Sequence, residues 1–201
     1  LSTGNPCLHK SHSHTTTYNY HRMWLRKQIV LGLNVSYNKD INPIATLYRY
    51  NSTTGAYESK PMNVKGGDMW KFGFNYDQGI GVYFRLMNKF KVLTSKSYGF
   101  LTIVDNNDPN AVPDLNLQKR LGIDENFDLS YEAEKVQLTL FNDLQWNRYR
   151  YDDDTYNSSP LYNSLGISVR LKLSPLEMYI RLSDDFRKGY ATSEMNGHKL
   201  M

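Results

Sequence analysis

The sequence predicts an all-β chain: an antiparallel transmembrane β-barrel segment of about eight strands in four hairpins, forming part of a larger barrel. Three observations lead there. Strand-length segments alternate between apolar and polar residues, and a period of two gives a strand one apolar and one polar face. The apolar in-phase stretches match the ~9–11 residues that a tilted strand needs to cross a hydrocarbon layer. Short turns alternate with long polar loops, as in barrels with short turns on one side and long loops on the other.

Residues 28–38 show the alternation best. Ile29, Leu31, Leu33, Val35 and Tyr37 fall in one phase; Gln28, Gly32, Asn34, Ser36 and Asn38 fall in the other, with Val30 out of phase. This strand follows a first one over 12–24 and a short turn at Arg26-Lys27. A turn-rich stretch from Asp40 to Gly67 is expected to hold only a short extended piece at 44–50. The third strand, 68–76, carries Trp70, Phe72, Phe74 and Tyr76 in phase. Asp77-Gln78-Gly79 reads as a Gly-bearing hairpin turn. The fourth strand then starts near Ile80, with Val82, Phe84 and Leu86 in phase.

The stretch Asp105–Asp114, rich in Asx residues and proline, is a loop. The fifth strand, 115–131, presents Leu117, Leu121, Ile123, Phe127, Leu129 and Tyr131, interrupted by Lys119 and Glu125. A turn at Glu132–Lys135 leads to the sixth strand, 136–150, with Val136, Leu138, Leu140, Leu144 and Trp146 in phase and Asn142 interrupting. After the loop 151–160 comes the seventh strand, 161–173, then a Ser174-Pro175 turn and the eighth strand, 176–187. Gly189 to Met201 reads as loop. Tyr76 and Tyr131 beside short turns, and Tyr37, Trp70 and Trp146 toward long loops, form two aromatic girdles.

Composition bounds the function. The chain has 201 residues, 40% hydrophobic, with 16 Tyr, 8 Phe and 3 Trp. Mean hydropathy is −0.61. No run approaches the ~20 apolar residues of a membrane-crossing helix. The net charge of +4 is mild and dispersed, which argues against nucleic acid as partner. Cys7 is the only cysteine, so no internal disulfide can form. Two other classes share the alternation: a complete small eight-stranded outer-membrane barrel with an anchoring or adhesin role, and a soluble β-sandwich that binds a ligand. The sandwich does not account for the turn asymmetry.

The opening Gly4-Asn5-Pro6-Cys7-Leu8-His9-Lys10 is similar to the Gly-Asn-Pro-x-Leu-Lys-Pro stretch of TonB-dependent receptor-like outer-membrane barrels. Ser11-His12-Ser13-His14 takes the place of a Ser-His pair that follows there, and Tyr50–Tyr57 resembles an outer loop of that family. His9-Lys10 and Cys7 depart from the pattern. The resemblance implies a Gram-negative outer-membrane receptor that imports a bulky nutrient. Outer loops would capture the ligand, and a TonB-type energy-coupling protein would displace a plug. Membrane lipid and a surface lipoprotein are the other partners it implies. The chain contains no plug or energy-coupling box, and His198-Lys-Leu-Met201 does not resemble a barrel-closing strand, so an internal portion of a longer barrel is expected.

Candidate sites are few. His9, His12, His14 and His21 cluster near the start, and His12 and His14 share a strand face suited to a soft metal. Asp152-Asp153-Asp154 and Asp105/Asp108 offer oxygen ligands for calcium but lack the spacing of a defined loop. Solvated loop is the simpler reading of these groups, and no metal or other cofactor is expected. Arg170, Lys172 and Arg181 are expected to line a polar lumen. No spacing fixes a nucleophile, base and oxyanion donors, so no enzyme and no catalytic residues are expected; substrate-binding residues are not legible.

Overall fold

The computed structural model describes residues 4–51, 53–100, 104–105, 114–190 and 196–200, without the side chains of 104 and 105. In chain order the strands are β1 (His12–Trp24), β2 (Ile29–Ile41), β3 (Ile44–Asn51), β4 (Ala56–Asn63), β5 (Asp68–Ile80) and β6 (Phe84–Phe100). They continue with β7 (Val104–Asp105), β8 (Leu115–Glu132), β9 (Val136–Arg150), β10 (Leu161–Leu173), β11 (Leu176–Lys188) and β12 (Gly197–Leu200). Two short 3-10 turns, 25–27 and 154–156, are the helical elements among the described residues. Among the described residues no helix is long and apolar enough to cross a membrane.

Nine strands form one antiparallel sheet in the order β1-β2-β5-β6-β8-β9-β10-β11-β12. Among the described residues β1 and β12 do not pair, so the sheet is open. The β3–β4 hairpin and β7 make a second, three-stranded sheet at the long-loop end. The long strands reach 13 to 18 residues, well beyond the ~5–6 usual in globular proteins.

The register holds one phase across the sheet. Leu33 pairs with Phe74, Phe74 with Phe90, Val92 with Ile123, Leu129 with Leu140, Leu140 with Ile167 and Ile167 with Leu182. One face is therefore an apolar band; the other carries the Asn, Ser, Lys, Asp and Arg residues. The turns are also staggered. The pairing line from Trp24 and Ile29 runs through Gln78, Leu86, Leu129 and Leu140 to Ile167. The last hairpin turns at Leu173 and Leu176, six residues beyond Ile167 and six strand steps from the first turn. One residue of about 3.3 Å per strand spacing of about 4.8 Å tilts the strands by roughly 35°, the lower end of barrel tilts.

Burial is inverted with respect to polarity. Ser130, Ser164, Ser183 and Asp185 on the polar face are buried, Asp185 to 2% exposure. On the apolar face Leu140, Leu165 and Leu182 are 44%, 51% and 56% exposed. Polar side chains shield one another, as they do on the inner side of a curled sheet. No second sheet covers the apolar band among the described residues. Among the described residues the buried apolar side chains are Phe141 on the polar face, and Leu47 and Val64 at the small hairpin.

Four expectations need correction. The second hairpin turns at Gly81-Val82-Tyr83, and Asp77-Gln78-Gly79 lies inside β5. Gly81 supplies the positive φ of +66°, whereas Gly79 lies against the Gln28 side chain, whose Oε1 would have to swing aside for a methyl there. Strand four consequently starts at Phe84, not Ile80, and Tyr76 sits well above the turn with its hydroxyl on Gln78 Oε1, 2.6 Å away. The 44–50 piece is one arm of a full hairpin, closed by Gly55 at φ +70° and by Asn51, which accepts from the Thr53 and Thr54 N–H groups. Residues 197–200 form a strand on β11 rather than loop. Of the loop expected over 105–114, residues 106–113 lie outside the described residues.

Gly166 supports the packing of the polar face. A methyl there would overlap the Leu182 carbonyl oxygen and the Phe141 ring, so the aromatic side chain lies across the glycine. Gly166→Ala is expected to destabilise the assembled protein by about 1–3 kcal/mol, the usual cost of overpacking. Gly73→Ala, whose methyl would meet only Asn34 at ordinary contact distance, should stay within about 0.5 kcal/mol. Urea unfolding of both variants in detergent micelles checks this.

Candidate functional site

Side-chain chemistry divides the polar face in two. Across β1 and β2 it is mostly uncharged, with Asp40 at the long-loop end accepting from the Asn38 amide at 3.0 Å. Ser13 and Thr15 donate to Asn38 Oδ1 at 2.8 and 2.7 Å, Thr17 and Ser36 are 3.2 Å apart, and Asn34 donates to Asn19. From β5 to β11 the same face is charged. Asp77 holds Arg85 through two bonds, Nε to Oδ1 at 2.9 Å and Nη2 to Oδ2 at 2.6 Å, the bidentate geometry that makes such pairs specific.

A cleft of about 370 Å³ lies in the charged half, lined by Lys89, Asn126, Asp128, Phe141, Asp143 and Arg181 among others. Asn126 donates to Asp143 at 2.7 Å. Arg181 lies 3.7 Å from Asp143 and 3.8 Å above the centre of the Phe141 ring. The guanidinium thus has a carboxylate at one edge and a π face beneath it. Phe141 can lie flat because Gly166 has no side chain. Farther up, Asp185 accepts from Ser164 at 2.6 Å and from Tyr162 at 3.2 Å, with Arg187 stacked on the Tyr162 ring. Such a face can present hydrogen-bond donors and charges of both signs to a polar solute.

Arg170, Lys172 and Arg181 share this face by register, and Arg170 pairs with Glu177 at 3.2 Å. The histidines do not assemble. His12 and His14 share one face of β1 and His21 lies on the other, by the alternation of the strand. His9 contributes its backbone, exchanging bonds with the Asn63 side chain at 2.7 and 3.0 Å. Among the described residues no three His, Cys, Asp or Glu side chains come within reach of one metal ion. Cys7 is exposed.

The acidic triplet shapes its own loop. Asp152 accepts from the Leu117 N–H at 3.0 Å and Asp154 from Asn157 at 2.5 Å. Asp153 caps the 154–156 turn through the Thr155 N–H, which holds its carboxyl below the ordinary range. The three carboxylates thus serve different partners. Asp108 lies outside the described residues. Sequence reasoning missed Lys89, Asp128, Asp143 and Asp185. Their even spacing within each strand was the available signal, but cross-strand convergence needs the register.

The fold and this surface define a class: an all-β protein on an open antiparallel sheet, with a self-packed polar face and an exposed apolar one. No family model, curated protein or solved structure matches the chain.

The two faces predict opposite outcomes for neighbouring carboxylates. Asp185→Leu removes the acceptor from two hydroxyls and should cost about 1–3 kcal/mol. Asp184→Leu, one residue away on the apolar face, should be neutral or stabilising in detergent. Thermal or urea unfolding of the pair reads the difference.

Proposed function

We propose that this chain forms a wall of an outer-membrane β-barrel, and that the barrel belongs to a TonB-dependent receptor importing a bulky nutrient. The inverted burial carries the membrane reading. A band of exposed apolar side chains runs across the sheet from Phe72 to Ile180 and Leu182, whereas soluble monomers rarely expose contiguous apolar patches beyond a few hundred Å². In a bilayer the same band faces hydrocarbon and needs no cover. Backbone groups in hydrocarbon must pair within the sheet, and long antiparallel strands with a one-residue stagger meet that demand. The unpaired edges at β1 and β12 are where further wall would join.

The receptor part rests on the likeness of Gly4–Lys10 to the family stretch. In this structure the segment docks on the small hairpin, with Asn5 donating to the Pro61 carbonyl at 2.9 Å. The long loops then form the ligand-capturing side, and the mixed-charge polar face lines the passage beside a plug. The energy-coupling partner acts on that plug, away from this wall.

Purified outer membranes provide the test. The native polypeptide carrying this chain should run as a heat-modifiable band several times larger than the chain. A band of the chain's own size would leave a small anchoring barrel and remove transport, and recovery only in the soluble fraction would overturn the membrane reading. Depth gives a second test. Leu33 and Leu140 each lie four residues from the short-turn end of their strand, near the middle of a ~25 Å band. Leu33→Arg or Leu140→Arg should each cost about 2–4 kcal/mol in bilayers, while Asn34→Arg on the polar face should cost little.

A further inference from the structure

The apolar face ends, toward the long loops, in a row of cations. Register places Lys96 directly opposite Lys119, and Lys119 directly opposite Arg150. Arg148 sits one step below, opposite Leu121. All four are exposed. None forms an ion pair among the described residues. Like charges directly opposite on neighbouring strands destabilise a sheet, so this arrangement calls for an anion between them.

A cleft of about 580 Å³ opens at this place, lined by Lys119, Arg148, Arg150 and the Asp152–Ser159 loop. Asp152 and Asp154 also line it, but their carboxylates are held by the Leu117 N–H and by Asn157. Three cations against two carboxylates leave an excess, and Lys96 beside Lys119 adds to it. Directly below lie Leu121, Ile123 and Trp146 of the apolar band. The rim continues around the sheet by a repeated spacing: an aromatic residue and, two positions on and on the same face, a cation. Tyr37 and Lys39, Trp146 and Arg148, and Phe186 and Lys188 follow it. Aromatic residues suit the interface, and cations just beyond it meet the anionic headgroup layer.

We propose that this rim binds the phosphorylated headgroup of an outer-leaflet lipid, with Lys119, Arg148 and Arg150 holding phosphate and Leu121, Ile123 and Trp146 holding acyl chain. The inference rests on the membrane reading above. A headgroup matches both halves of the site, whereas free phosphate would use only the cations.

The test uses the native polypeptide purified in uncharged detergent, with diphosphoryl lipid A as probe and native mass spectrometry or thermal shift as readout. Binding should weaken at least tenfold with the dephosphorylated lipid and in the K119Q/R148Q/R150Q variant. The polar-face variant K71Q/K91Q should bind as the parent does. Salt at about 0.5 M, which screens exposed charges strongly, must weaken binding of the parent; this holds without any variant, should the triple substitution fail to assemble. Equal binding of the dephosphorylated lipid, or an unchanged assembled triple variant, overturns the inference. So does displacement of the lipid by inorganic phosphate at equal concentration, which would make the site one for a free anion. A parent that is heat-modifiable in outer membranes but binds no phosphorylated lipid loses this inference alone. A parent found only in the soluble fraction loses the membrane reading itself.

Discussion

One phase of alternation, held by the pairing register of nine strands, governs everything else in this chain. A slip of one residue in any strand would move its whole apolar set to the opposite face. No such slip occurs between Leu33 on β2 and Leu182 on β11. The register therefore builds two surfaces of contrary chemistry from one backbone ladder. It also sets the stagger, because each short turn falls a residue lower per strand. Faces and tilt are two consequences of the same pairing.

The polar face depends on small residues as much as on charged ones. Gly166 gives Phe141 its place, and Phe141 in turn carries Arg181. Ser130 and Thr139 lie 3.0 Å apart and are too short to fill more space. A polar face packed this way tolerates burial because its donors and acceptors satisfy one another. Hardly any conventional core exists among the described residues, with Leu47, Val64 and Phe141 their buried apolar side chains. The ladder and its surroundings must hold the sheet together in place of a core.

Much of this was legible from residue order. The long strands, their apolar faces and three of the four short turns follow from period two and from turn residues. The failures have a common origin in local ambiguity. Val82 continues the phase of Ile80 and Phe84, so Gly81 is hidden inside an apparent strand, while Gly79 advertises a turn it does not make. Residues 44–63 show weak alternation, and the base of the hairpin they form is tied down by Asn63, which donates to the His9 and Asn42 carbonyls. The polar cleft was invisible because Lys89, Asp128, Asp143 and Arg181 come from four strands. Each alone looks like any polar position on a two-faced strand, and only the register brings them together.

The apolar band is itself interrupted, and the interruptions follow a physical rule. Glu125 lies between Phe90 and Leu144 in the pairing, where a lone carboxylate among apolar side chains would be costly. Asn88, diagonal to it on the neighbouring strand, donates to its Oε1 at 2.9 Å. Asp184, also on this face, has His198 at 3.3 Å across to β12. Both carboxylates thus have a nitrogen partner from the next strand, supplied on their own face rather than through the sheet. Cross-strand diagonal neighbours are the nearest groups such a face can offer. The same pairing that excludes polar groups from most of the band therefore supplies the partners that let these two remain in it.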